Sequence, residues 1–131
     1  LLRTVIPSLD LTPYSDEDSA QGKAISWIES DTFSTDADRR LQRFALATLW
    51  YAMGGDGWIG VANWLSSFDE CNAWGNLVCS LSQEVLEVRL YDDGLAGTIP
   101  PEVALLTSLT FLDLTHSDPG GRLEGTLPTE L

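Results

Sequence analysis

The chain has 131 residues, of which 44% are hydrophobic, with five Trp and two Cys; that is one domain's worth of sequence and too apolar for a disordered segment. Twenty acids against seven bases give a formal net charge of −13, which repels phosphate backbones and anionic lipid surfaces and makes nucleic acid a poor partner. No apolar run approaches the roughly 20 residues of a membrane helix, so any signal peptide or membrane tether would lie outside this stretch of sequence.

In chain order, residues 1–14 read as an extended arm, because Pro7 and Pro13 forbid a continuous helix across them. Ser15 followed by Asp16, Glu17 and Asp18 is a helix-start pattern. Ala24, Ile25, Trp27 and Ile28 then supply an apolar face at helical spacing. After a polar break at 30–35, a second helix is expected from Asp36 to Met53, with Leu41, Phe44, Ala45, Thr48, Leu49 and Ala52 on its buried side. Gly54-Gly55 ends it. Arg39, Arg40 and Arg43 lie together in that helix, placed either to steady it or to meet the acidic segments around it. The stretch 56–76 is loop-like but holds Trp58, Trp64, Phe68 and Trp74. Aromatics in an irregular segment normally pack onto neighbouring elements, with an aromatic sugar-binding platform as the alternative. Cys71 and Cys79, with seven residues between them, suit a disulfide closing a small loop or two free thiols. A metal site is weak, because the sole His, His116, is remote and there is no second CxxC.

Beyond Cys79 the pattern becomes periodic. Val85, Val88, Leu90, Leu95, Gly97, Ile99, Pro100, Val103 and Leu106 form one series; Leu109, Leu112, Leu114, Leu123, Gly125, Leu127, Pro128 and Leu131 form another. The two start 24 residues apart, and the second carries four extra residues after Ser117. That period is the length of one leucine-rich repeat. Each unit would bury alternate residues of a short strand, Val88 and Leu90, then Leu112 and Leu114. Leu95, Ile99 and Val103 would reach the same core from the return segment. No single unit closes its own core, so the units must stack.

The stretches 49–58 (LWYAMGGDGW), 63–66 (NWLS) and 71–79 (CNAWGNLVC), followed by the two L-x-G-x-[IL]-P copies, resemble a plant-type leucine-rich-repeat cap with its first repeats. The helix, Gly-Gly, Trp and Trp-Leu-Ser variant is similar to leucine-rich-repeat proteins of algae, diatoms especially, where a membrane segment often precedes the cap. The resemblance covers residues 15–131. It implies an α/β solenoid: a helical N-terminal cap over 15–84, then right-handed coils with short parallel strands over 85–108 and 109–131. It also implies a Cys71–Cys79 disulfide, Trp74 packed in the cap, and a role in recognition. The family's Asn after each strand is replaced here by Asp93 and Ser117, which donate fewer or shorter hydrogen bonds to a backbone ladder.

On the strand face, the residues between the buried positions point outward: Glu87, Arg89, Tyr91 and Asp92 in the first repeat, and Phe111, Asp113, Thr115 and His116 in the second. Adjacent strands place Glu87 near Phe111, Arg89 beside Asp113, Tyr91 beside Thr115 and Asp92 beside His116, with an Arg89–Asp113 surface ion pair or a recognition patch as the two readings. A lone His with no partnered nucleophile makes no active site, and Gly54–Gly57 reads as a turn rather than a phosphate cradle. The acidic run at 16–18 lacks the ligand spacing of a calcium loop. The expectation is therefore a binding domain without catalysis, metal or cofactor. Its ligand would be a protein or glycan, on the extracellular side of a membrane, secreted, or in an organelle lumen, with an assembly subunit as the alternative. The open C-terminal end would be covered by further repeats or a partner.

Overall fold

The computed structural model describes residues 12–58, 61–90 and 95–114. Two helices, α1 (Ala20–Ser30) and α2 (Ala37–Ala52), form a hairpin. A one-turn helix α3 (Glu70–Ala73) leads into β1 (Leu77–Cys79), β2 (Val85–Arg89) and, after a 3-10 segment at Pro101–Leu105, β3 (Phe111–Asp113). The sheet order is β1-β2-β3.

The helical hairpin begins later than its sequence suggests. Thr12–Ser15 is a 3-10 turn rather than the end of an extended arm, and the cap of α1 is Ser19, not Ser15: its hydroxyl accepts from the Gly22 N–H at 2.9 Å. The reason is a competing local structure. The Asp16 carboxylate accepts from the Asp18 N–H, an Asx turn that holds the acids outside the helix. That turn crosses so close to α1 that a Cβ on Gly22 would lie 2.0 Å from the Asp16 carbonyl oxygen. Residues 1–11 of the expected arm lie outside the described residues. The α2 boundaries follow the reading closely: Asp36 caps the Arg39 N–H, and Gly54 takes the left-handed conformation (φ 71°) that stops the helix.

The 24-residue period appears directly as strand register. β2 and β3 are parallel, with Glu87 opposite Phe111, Val88 opposite Leu112 and Arg89 opposite Asp113. Val88 and Leu90 are fully buried and Leu114 nearly so, while Arg89 and Phe111 are exposed. β1 adds a feature the repeat pattern did not announce: it belongs to the cap, and it pairs antiparallel with β2. Cap and first repeat therefore share one sheet. They also share one core, in which Leu46 and Leu49 of α2 join Val88, Leu90, Leu95, Val103 and Leu106. Each such side chain contributes about 1.5–3 kcal/mol by leaving water.

The tryptophans pack inward. Trp27, Trp74, Trp64, Trp58 and Trp50 form a chain of ring contacts with centroids 5.1–6.5 Å apart. The indole N–H groups of four of them are satisfied, Trp27 on the Leu65 carbonyl, Trp58 on Met53, Trp64 on Gly75 and Trp74 on the Ser66 hydroxyl. Phe68 is the exception and stays 61% exposed. Cys71 and Cys79 are disulfide-bonded, with Cα atoms 5.6 Å apart, and tie α3 to β1.

Candidate functional site

The outward face of β2 and β3 carries half of the expected recognition residues. Glu87, Arg89, Phe111 and Asp113 come together in the expected register; Tyr91, Asp92, Thr115 and His116 lie outside the described residues. The charge pattern differs in one respect from the expected cross-strand ion pair. Arg89 Nε donates to Glu87 Oε1 at 2.7 Å, along its own strand, and its guanidinium lies over the Phe111 ring, 4.5 Å from the centroid. Residues i and i+2 share a strand face about 6.6 Å apart, within reach of these two long side chains. The stacked ring holds the cation side-on. Arg89 and Phe111 remain 49% and 41% exposed. The product is a fixed, accessible guanidinium–aromatic pair on a rigid sheet.

A buried ionic lattice lies between α1, α2 and α3. Arg43, fully buried, makes two hydrogen bonds to the Asp31 carboxylate, one to Glu70 Oε1 at 2.9 Å, and two to the carbonyls of Ser66 and Phe68. Its guanidinium also sits over Phe33 and Trp74, at 4.5 and 4.9 Å. Arg39 grips Glu70 and Asp69. Arg40 donates to the Ile28 and Asp31 carbonyls at the end of α1. Arg39 and Arg43 thus meet the acidic segments, and Arg40 and Arg43 also bond backbone carbonyls. Burial pushes the Glu70 carboxyl upward, but donation from Arg39, Gln42 and Arg43 outweighs it and holds the group below its ordinary value.

Gln42 connects this lattice to the strand face. Its amide nitrogen donates to Glu70 Oε2 at 2.8 Å and to the Gln83 carbonyl at 2.9 Å, while its Oε1 accepts the Val85 N–H at 2.8 Å. The first residue of β2 is therefore pinned by a cap side chain. A second polar tie joins cap and repeat at Glu102, fully buried, which accepts from the Tyr14 hydroxyl and from Gln21. Burial, and then the hydrogen bond to Glu102, raise the Tyr14 phenol well above its usual range.

Among the described residues, the grouping with metal-ligand geometry is Asp69, Glu70 and Cys71. Its atoms are already used: Cys71 is in the disulfide, and the carboxylates are held by Arg39, Arg43 and Gln42. This chemistry is structural. The sequence marked the basic side of the lattice; its acceptors Asp31 and Glu70 carried no periodic or motif signal.

No family model matches the chain. A solved structure of a leucine-rich repeat protein from Bacteroides eggerthii is similar in fold, with a TM-score of 0.55 and 27% sequence identity. The match covers 70% of this chain and 16% of that chain, so the shared part is a small fraction of the longer protein. The likeness supports the leucine-rich-repeat reading at the level of the fold. Among the described residues no helix is long and apolar enough to cross a membrane.

Proposed function

We propose that this chain is the capped start of a right-handed leucine-rich-repeat solenoid of plant-type subclass that recognises a protein or glycan ligand outside the cytoplasm. The observation that carries the reading is the Arg89–Phe111 pair, an exposed aromatic under a fixed cation on a parallel two-strand face. Aromatic and arginine side chains supply much of the energy at recognition surfaces, because they bury large area at little entropic cost. Phe111 offers the exposed apolar rim of its ring, and the guanidinium edge not taken by Glu87 offers donors above it. The Cys71–Cys79 bond supports an oxidising compartment. The cap features and the L-x-G-x-[IL]-P copies support the plant-type subclass and, within it, the reading as an algal receptor-like protein.

The test is an array of glycans together with cross-linking to secreted and cell-surface proteins, using the whole chain and an Arg89→Ala/Phe111→Ala variant. A ligand retained by the native chain should be lost by the variant at unchanged melting temperature. Equal retention by a folded variant overturns the assignment of this face.

A further inference from the structure

An apolar groove of about 320 Å³ lies between the two cap helices, lined by Ile25 and Ile28 of α1 and by Ala37, Leu41 and Phe44 of α2. The three α2 residues stand at i, i+4 and i+7, one stripe of the helix. Arg40 is the one charged side chain among the described lining residues, and its guanidinium is spent on the Ile28 and Asp31 carbonyls. Ile25, Ile28 and Leu41 pack against the core yet stay only partly buried. The described chain enters the fold beside this groove. The Tyr14 ring lies 6.3 Å from that of Phe44, and the Tyr14 hydroxyl is fixed on the fully buried Glu102, which Gln21 also holds. The eleven residues before Thr12 are unlike the rest of this acidic protein. Leu1, Leu2, Val5, Ile6, Leu9 and Leu11 are aliphatic, and only Arg3 and Asp10 carry charge. Water disfavours so much apolar surface, and burial against other apolar groups relieves it.

We infer that the occupant of this groove is the chain's own segment 1–11, docked across α1 and α2 as an apolar strap; the segment lies outside the described residues. Reach is no obstacle. From Ala37 to Phe44 the helix advances about 10.5 Å, which three to four extended residues span, and Leu11 stands three residues before Tyr14. In an extended segment Leu9 and Leu11 share a face about 6.6 Å apart, close to the roughly 5–6 Å between neighbouring side chains along a helix stripe. Pro7 interrupts any continuous helix through the segment and favours that extended form. Tethering completes the case. A short linker holds the segment at a local concentration on the order of millimolar, so modest apolar contact suffices. A second copy, or an apolar segment of another protein, would have to displace this tethered competitor. The Tyr14–Glu102 bond is then the anchor from which the strap runs.

The experiment is photo-cross-linking of the whole chain, with p-benzoylphenylalanine placed at Ala37, exposed in the groove wall, or at Ser26, exposed on α1 away from it. Mass spectrometry then maps the adducts. Position 37 should join residues 1–11 of the same chain, and position 26 should do so several-fold less. Leu9→Asp/Leu11→Asp should abolish the adduct, increase binding of an apolar dye and lower the melting temperature by about 5 °C or more. Thr4→Asp/Ser8→Asp adds the same charge to the same segment at polar positions and should leave all three readings close to native. Adducts that join an isotope-labelled chain to an unlabelled one would give the groove to a second copy and overturn the proposal. So would equal adducts from positions 37 and 26, no adduct on residues 1–11, or equal effects of the two aspartate variants.

Discussion

Arg43 and Asp31 face each other through paired hydrogen bonds, Nε to Oδ2 at 2.7 Å and Nη2 to Oδ1 at 2.9 Å, with both side chains at most 2% exposed. The pair closes the α1–α2 hairpin from inside, and Arg43 continues to Glu70 and the loop carbonyls. A buried pair of this kind is weak evidence of net stabilisation, since desolvating two charges offsets most of the attraction. Breaking it is another matter. Arg43→Met strands the buried Asp31 carboxylate, removes one of the donors to Glu70 and frees two loop carbonyls, and should cost about 3–5 kcal/mol. Arg43→Lys keeps the charge but not the fork and should fall between Met and the native residue. Urea denaturation measures both; a Met loss below about 1 kcal/mol would contradict the arrangement.

Glu70 gives the lattice a pH dependence whose sign follows from its partners. Its folded-state carboxyl titrates below the ordinary value of 4.5, because donation from Arg39, Gln42 and Arg43 exceeds the opposing effect of burial. As pH falls, the unfolded chain takes up this proton first, so the contribution to stability is complete above about 4.5 and disappears as pH drops through the folded value. Glu70→Gln should lower stability at neutral pH and flatten the stability profile below about 4.5 relative to the native chain. Parallel profiles would place the acid sensitivity on other carboxylates.

The disulfide acts on the same region. It spans eight residues in sequence and joins α3, which carries Glu70, to β1. For a loop of this size the restriction of the unfolded chain corresponds to about 2.5 kcal/mol. Cys71→Ser/Cys79→Ser should lose about that much, and alkylation of the native protein should label neither cysteine until reductant is added. Two thiols reacting without reductant would remove the argument for an oxidising compartment as well.

How far the fold could be read depended on whether each feature was periodic. The parallel register was legible because one repeat length fixes it: 24 residues bring Glu87 to Phe111 and Arg89 to Asp113. The direction of Arg89 was not, because Glu87 on the same strand face competes for the guanidinium and only packing on Phe111 decides between them. Ser15 and Ser19 both stand within a few residues of acids, and the choice of cap fell to a turn that Asp16 makes with Asp18. The acceptors of Arg43 come from 12 and 27 residues away, on a loop and a one-turn helix. No local pattern encodes such a meeting. Gln42 stands outside the apolar series of its helix, and its pinning of Val85 is visible only once the cap and the sheet are placed together.

Gly97 shows what the motif glycine does. It has φ 97°, and a Cβ at this position would stand 2.3 Å from the Ala52 carbonyl oxygen at the end of α2. Next to it, the Ala96 N–H donates to the Met53 carbonyl at 3.1 Å. The L-x-G-x-I-P segment therefore docks on the C-terminal end of the cap helix, donating to a carbonyl that lies past the end of the helix ladder. Leu95 and Ile99 on either side turn into the core. Gly97→Ala combines a backbone conformation that costs an L-residue about 1–3 kcal/mol with a clash against fixed backbone, and should destabilise by at least about 2 kcal/mol. Thr98→Ala, next in the chain and exposed, should change stability by no more than about 0.5 kcal/mol. Thermal unfolding of the two variants decides the point: equal melting temperatures would mean that the glycine is not what lets the first repeat seat against the cap.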